Sequence, residues 1–132
     1  AEPAKKQQVD IITSFGDLPN VLLDRNQLAQ AVYNICLNGI QALQEQGGGR
    51  LEISTLDRLG FVIIEIKDKG AGIPIEVMDQ IFYPFFTTKY DRGGTGLGLS
   101  IAYGFIKDII GEIRVDSEEG KYTMFEVIIP KN

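Results

Sequence analysis

Asn34 and Asn38 stand four residues apart inside a helical pattern, so both carboxamides share one face about one turn from each other. Gln27, Gln30, Gln41 and Glu45 fall on the same stripe. An ordinary solvated stripe is built from Lys and Glu, which favour helices, whereas Asn does not. Two asparagines one turn apart therefore suggest a chemical role. An Asn side-chain oxygen is a hard, neutral donor suited to Mg²⁺, which keeps several waters and takes its other ligands from substrate phosphates. Asp68 closes a strand-like run and opens a glycine-rich loop, where it is either a turn carboxylate or an acceptor for the exocyclic amine of a base in an apolar pocket. Gly70 and Gly72, then Gly93, Gly94, Gly96 and Gly98, let backbone amides approach a phosphate or a flat base where any Cβ would clash. The last of these glycines open a helix, whose free amides and dipole favour an anion.

Neither standard phosphate motif is present. Gly94-Thr95-Gly96 and Gly96-Leu97-Gly98 both lack the final glycine of G-x-G-x-x-G, and Val115 and Tyr122 occupy the Gly and Ser/Thr positions that a Walker loop around Gly120-Lys121 requires. The chain contains no histidine and one cysteine, Cys36. A Ser-His-Asp triad, a Cys-His pair, a histidine metal ligand and a structural zinc site are all excluded.

The elements that must position these residues follow from periodicity and caps. Residues 9–15 read as a strand, residues 16–20 as a turn, and residues 21–23 as a second short strand. Asp24 and Gln27 form a capping-box pattern ahead of a helix running to about residue 46, with Leu28, Ala31, Val32, Ile35, Gly39, Ala42 and Leu43 on its apolar face. Gly47-Gly48-Gly49 stops it. Residues 51–57 and 61–67 predict a hairpin, residues 75–82 a short helix begun by Pro74, and residues 83–94 a mobile loop. A helix over 96–110 ends at Gly111, and strands over 112–117 and 123–129 flank a turn at 118–120. Hairpin-linked strands beside separate helices predict an α/β sandwich, a mixed and mainly antiparallel sheet with helices on one face.

With 132 residues, 44% of them hydrophobic and 23% charged, the chain fits one soluble folded domain. Residues 1–8 are polar and read as a linker from a preceding segment, leaving 9–132 as the domain. No stretch resembles a membrane span or signal peptide, and Cys36 suits a small core residue in a reducing, cytoplasmic setting. The net charge of −5 argues against nucleic-acid binding.

Four motifs taken in order carry a resemblance: Asn34-Ile35-Cys36-Leu37-Asn38, Asp68-Lys69-Gly70-Ala71-Gly72-Ile73, Phe82-Tyr83-Pro84-Phe85-Phe86-Thr87-Thr88-Lys89 and Gly93-Gly94-Thr95-Gly96-Leu97-Gly98-Leu99-Ser100. Together they resemble the ATP-binding domain of histidine kinases within the gyrase, Hsp90, histidine kinase and MutL superfamily, whose ATP-binding fold is the Bergerat type. The match runs from about Val9 to Pro130, and the Phe-Phe-Thr-Thr-Lys run singles out histidine kinases.

The resemblance implies that Asn38 coordinates Mg²⁺ and that Asn34 lies near the transferring phosphate. It implies that Asp68 accepts from the adenine amine, with Gly70, Gly72, Ile73 and Thr123 around the base and Phe82 beside the nucleotide. Gly93, Gly94, Thr95, Gly96 and Gly98 would surround the phosphates while Leu97 and Leu99 pack against the nucleotide. The loop between would be a mobile ATP lid carrying Thr88, Lys89 and Arg92, the last two as catalytic cations. Gln41 and Ala42 depart from a basic residue and an aromatic common in relatives, Ile109-Ile110 from His-Gly, and Tyr122 from Gly.

The implied activity is transfer of the γ-phosphate of ATP to a histidine on a separate helical dimerisation and phosphoacceptor domain, with a response regulator downstream. The absent acceptor histidine implies a parent longer than this sequence. Within the superfamily, ATP-hydrolysing clamps place a carboxylate where Asn34 stands, and Asn34 cannot serve as a general base. An anti-sigma-type serine kinase and a nucleotide-sensing module without transfer activity are the other readings.

Overall fold

The computed structural model describes residues 8–84 and 98–131. Five strands, β1 (Gln8–Phe15), β2 (Gly48–Arg58), β3 (Phe61–Asp68), β4 (Glu112–Glu118) and β5 (Tyr122–Pro130), form one sheet in the order β1-β2-β3-β5-β4. β1 and β2 pair in parallel across the intervening helix α1 (Arg25–Glu45), and the remaining pairs are antiparallel. α2 (Gly98–Asp108) packs beside α1 on the same face of the sheet. The mixed sheet with helices on one face is therefore as the sequence predicts.

Alternation along β5 explains the layering. Thr123, Phe125, Val127 and Ile129 are buried while their neighbours are half-exposed, so one face of this strand meets the helices. Ala31, Ile35 and Leu43 of α1 and Ala102 and Ile106 of α2 close onto Leu51, Ile66, Phe125 and Val127. Burying the largest of these side chains stabilises the fold by about 1.5–3 kcal/mol each.

The first helix begins where the cap pattern places it. The Asp24 Oδ1 accepts from the backbone N–H groups of Asn26 at 3.0 Å and Gln27 at 3.2 Å, satisfying two of the free amides of the first turn. Local pattern fails at three places. Residues 21–23 form no strand; Val21 and Leu23 pack against the core as the chain enters the Asp24 cap, and Leu22 is 88% exposed. Their apolar run reflects alternating burial, which occurs here without a ladder. The short helix after Pro74 is a 3-10 helix, Ile75–Gln80. α2 ends at Asp108, two residues before its apolar spacing does, because Ile110 turns into the left-handed region at φ 62°. Among the described residues no helix is long and apolar enough to cross a membrane.

Candidate functional site

The strand register brings four side-chain positions into one row at the end of the sheet. Leu51 of β2 lies opposite Asp68 of β3, Asp68 opposite Thr123 of β5, and Thr123 opposite Ser117 of β4. This row faces the helices. Asp68 and Thr123 are 4% and 5% exposed, the two buried polar side chains among the described residues. A buried carboxylate is costly unless its oxygens are satisfied. One of them is held by the loop it opens: Gly70 N–H donates to Asp68 Oδ1 at 3.0 Å.

α1 passes directly over this carboxylate. A Cβ at Gly39 would stand 3.5 Å from Asp68 Oδ2 and 2.9 Å from Leu51 Cδ1, so a glycine at this turn lets the helix approach the row closely. Asn38 immediately precedes it and is half-buried. One turn earlier, Asn34 reaches the start of α2: its Nδ2 donates to the Gly98 carbonyl at 3.4 Å while its Oδ1 accepts from Gln30 Nε2 at 2.9 Å. The two asparagines thus span the distance from the buried carboxylate to the N-terminus of α2.

The loop after Asp68 is fastened on its far side. Gly72 adopts φ 74°, and a Cβ there would collide with the Glu118 carbonyl oxygen. The Gly120 N–H donates to the Ala71 carbonyl. Ile73 N–H donates to Ser117 Oγ at 2.8 Å, Ser117 Oγ donates to the Tyr122 carbonyl at 2.8 Å, and its oxygen lies 3.0 Å from Thr123 Oγ1. A hydroxyl carries one proton, and a carbonyl can only accept. With that proton on Tyr122, the Thr123 hydroxyl is the donor to Ser117, leaving its lone pairs toward the site.

The structure therefore gathers Asn34, Asn38, Asp68, Gly70, Gly72, Ile73, Gly98, Leu99 and Thr123 around the junction of α1, the start of α2 and the ends of β3 and β5. Phe82 lies against α2, its ring 5.3 Å from that of Tyr103 and 6.1 Å from that of Phe125. Thr88, Lys89, Arg92, Gly93, Gly94, Thr95, Gly96 and Leu97, with the predicted lid, lie outside the described residues. Sequence reasoning missed Ser117, Gly39 and Gln46. Ser117 had a signal, a hydroxyl on the inward side of an otherwise apolar alternation with Ile113 and Val115. Gly39 had none, since a small residue on an apolar helix face reads as packing.

These features fit an adenine nucleotide with its cation. A buried carboxylate acceptor suits a base bearing an amine, and the glycines of its loop are required by packing, since a Cβ on Gly70 would meet Asp68 Oδ1 and one on Gly72 the Glu118 backbone. Among the described residues no group of three or more His, Cys, Asp or Glu could cage a metal. An asparagine oxygen is a hard neutral ligand that could add to a Mg²⁺ holding its waters and substrate phosphates.

Known proteins are similar to this chain in sequence and in fold. Sensor kinase CckA of Brucella abortus is 39% identical over 87% of this chain and 14% of its own length. Sporulation kinase C of Bacillus subtilis is 43% identical over 81% of the chain and 24% of its own, and sensor histidine kinase ZraS of Escherichia coli K12 is 33% identical over 100% and 28%. The chain thus spans less than a third of the length of these relatives. Among solved structures, the nucleotide-free catalytic domain of histidine kinase ThkA superposes with a TM-score of 0.80 at 32% identity, over 96% of this chain and 83% of that one. Full-length ShkA in complex with AMPPNP superposes with a TM-score of 0.84 at 25% identity, over 97% of this chain and 27% of that one. Residues 23–132 match one family, and the chain belongs to it: the histidine kinase-, DNA gyrase B- and HSP90-like ATPases.

Proposed function

We propose that residues 9–132 are the catalytic and ATP-binding domain of a sensor histidine kinase, which binds Mg-ATP and phosphorylates a histidine on a separate helical dimerisation and phosphoacceptor domain that signals to a response regulator. The observation that carries this reading is the buried Asp68, clamped by the Gly70 amide and lying beneath Gly39 of the asparagine-bearing helix. Two of the named relatives are sensor kinases and the third a sporulation kinase, and one structural neighbour was solved with AMPPNP.

Bound Mg-ATP supplies the transferable phosphoryl group. The chain's own residues position it and offset its charge, which is most of what phosphoryl transfer requires. Asp68 accepts from the adenine amine, and Thr123 offers a second acceptor beside it. Gly70 leaves room for the Asp68 carboxylate and Gly72 lets the loop lie against the Glu118 backbone, so the loop keeps its place beside the base. Asn38 contributes a neutral oxygen to the cation. Asn34 has its carboxamide oriented by Gln30 and Gly98, and it holds the α2 N-terminus beside the metal helix. No carboxylate stands at position 34 to deprotonate water, and a neutral imidazole acceptor needs no such base, because its nitrogen already has a lone pair. Lys89 and Arg92 are proposed as the cations that close on the phosphates.

Calorimetry with ATP in magnesium and in EDTA tests the site. ATP binds more tightly with magnesium, and Asn38→Ala removes most of the difference. Equal affinity in EDTA would take Asn38 out of the metal site.

A further inference from the structure

The chain reverses at the end of α1 through three consecutive glycines of positive φ, Gly47 at 98°, Gly48 at 122° and Gly49 at 147°. Side chains would not fit: a Cβ on Gly48 would stand 2.6 Å from the Gln8 carbonyl oxygen and one on Gly49 2.8 Å from Leu43 Cδ2. The reversal folds the first residues of β2 back beneath Gln46, the residue that caps the helix. Gln46 Nε2 then donates both its protons to main-chain carbonyls, Gly48 at 2.9 Å and Lys69 at 3.2 Å. Two carbonyls can only accept, so the nitrogen end of the carboxamide must face them. Lys69 lies between Asp68 and Gly70, the two residues of the carboxylate clamp.

We infer that Gln46 is a positioning residue for base recognition: it fastens the loop carrying Asp68 to the end of the helix carrying Asn34 and Asn38, and so fixes the base-reading carboxylate relative to the phosphate end of the site. The inference rests on the ATP-binding reading above. Its chemistry separates it from a general fastener. A loop displaced at Lys69 moves the group that reads the exocyclic amine, while the asparagines stay on their helix. Adenine recognition then weakens while recognition of the phosphates does not.

The test is calorimetry of the 132-residue chain with ATP, GTP and tripolyphosphate, for the parent and for Gln46→Ala, Gln46→Met and Gln46→Glu. Ala removes the donor, Met keeps the bulk without it, and Glu places oxygen against two carbonyls. The position is exposed, so thermal melts verify that each variant folds. ATP affinity falls about three- to tenfold in Ala and Met, as expected for a lost neutral hydrogen bond, and further in Glu. The ATP-to-GTP preference shrinks in the same order, and tripolyphosphate binding is unchanged. A parent that does not prefer ATP to GTP overturns the adenine reading and the inference with it. A parent that prefers ATP, with variants that keep its preference, overturns the inference alone. So does an equal loss for all three ligands, or a lowered melting temperature with an unaltered ATP-to-GTP ratio, since either makes Gln46 a structural clip.

Discussion

Asp68→Asn tests the proposed base contact. The substitution keeps one oxygen for the Gly70 amide, so the loop retains its clamp, and replaces the other with an amine facing the donor of the base. Losing one hydrogen bond to a charged acceptor costs about 1.5–3 kcal/mol. ATP affinity measured by calorimetry falls accordingly, with the urea midpoint little changed; unchanged affinity removes Asp68 from base recognition. Cys36 is a different kind of residue. It is half-buried against the core, and burial pushes its thiol pKa up. As pH rises past the ordinary thiol range the unfolded chain loses this proton first, so its contribution is present below that range and is lost as pH climbs through the raised value. Partial burial and a raised pKa both reduce the reactive thiolate in the native protein. At pH 8 Cys36 is expected to react with a disulfide reagent far more slowly in the native protein than in urea, and equal rates would show that it is not protected.

The elements follow from local signals wherever the forces are local. Asp24 opens α1 and the apolar spacing of Ala31, Ile35, Gly39 and Leu43 buries its inner face, each within a few residues of what it determines. Asp68 was legible for the same reason, as a carboxylate where a strand meets a glycine loop. The parallel pairing of β1 with β2 joins segments separated by the whole of α1, and no local period reports it. Gln46 was illegible for a related cause, its partner Lys69 being 23 residues away. The inward hydroxyl of Ser117, though visible in the alternation of β4, did not announce its partner Ile73, 44 residues away. The end of α2 shows a local rule overridden. Ile110 N–H bonds to the Lys107 carbonyl at 3.0 Å and Gly111 N–H to that of Ile106 at 2.9 Å, a left-handed cap that favours glycine at position 110, yet an isoleucine 80% exposed stands there. Relief of roughly 1–2 kcal/mol of backbone strain exceeds the roughly 0.5–1 kcal/mol of added chain entropy. Ile110→Gly is expected to raise the urea midpoint with an unchanged slope; a lowered midpoint would mean that the side chain makes a stabilising contact.

At the scale of the whole molecule, the sheet holds the row of Leu51, Asp68, Thr123 and Ser117 at one end while α1 and α2 pack over its face. Under the proposed reading the acceptor histidine lies outside these residues, since the 132-residue sequence contains none. Lys89 and Arg92 are proposed as charges that act late. Their replacement by Ala is expected to lower the transfer rate more than ATP affinity, a split that kinetics and calorimetry together measure. The most direct measurement is to incubate the chain with γ-labelled ATP, magnesium and a separately supplied helical hairpin bearing the acceptor histidine. A histidine kinase domain puts label on the hairpin, labile to acid and stable to alkali, accumulating slowly because an untethered acceptor lacks its millimolar effective concentration. Label released as free phosphate, with none on the hairpin, would contradict that reading and make the chain a water-activating ATPase.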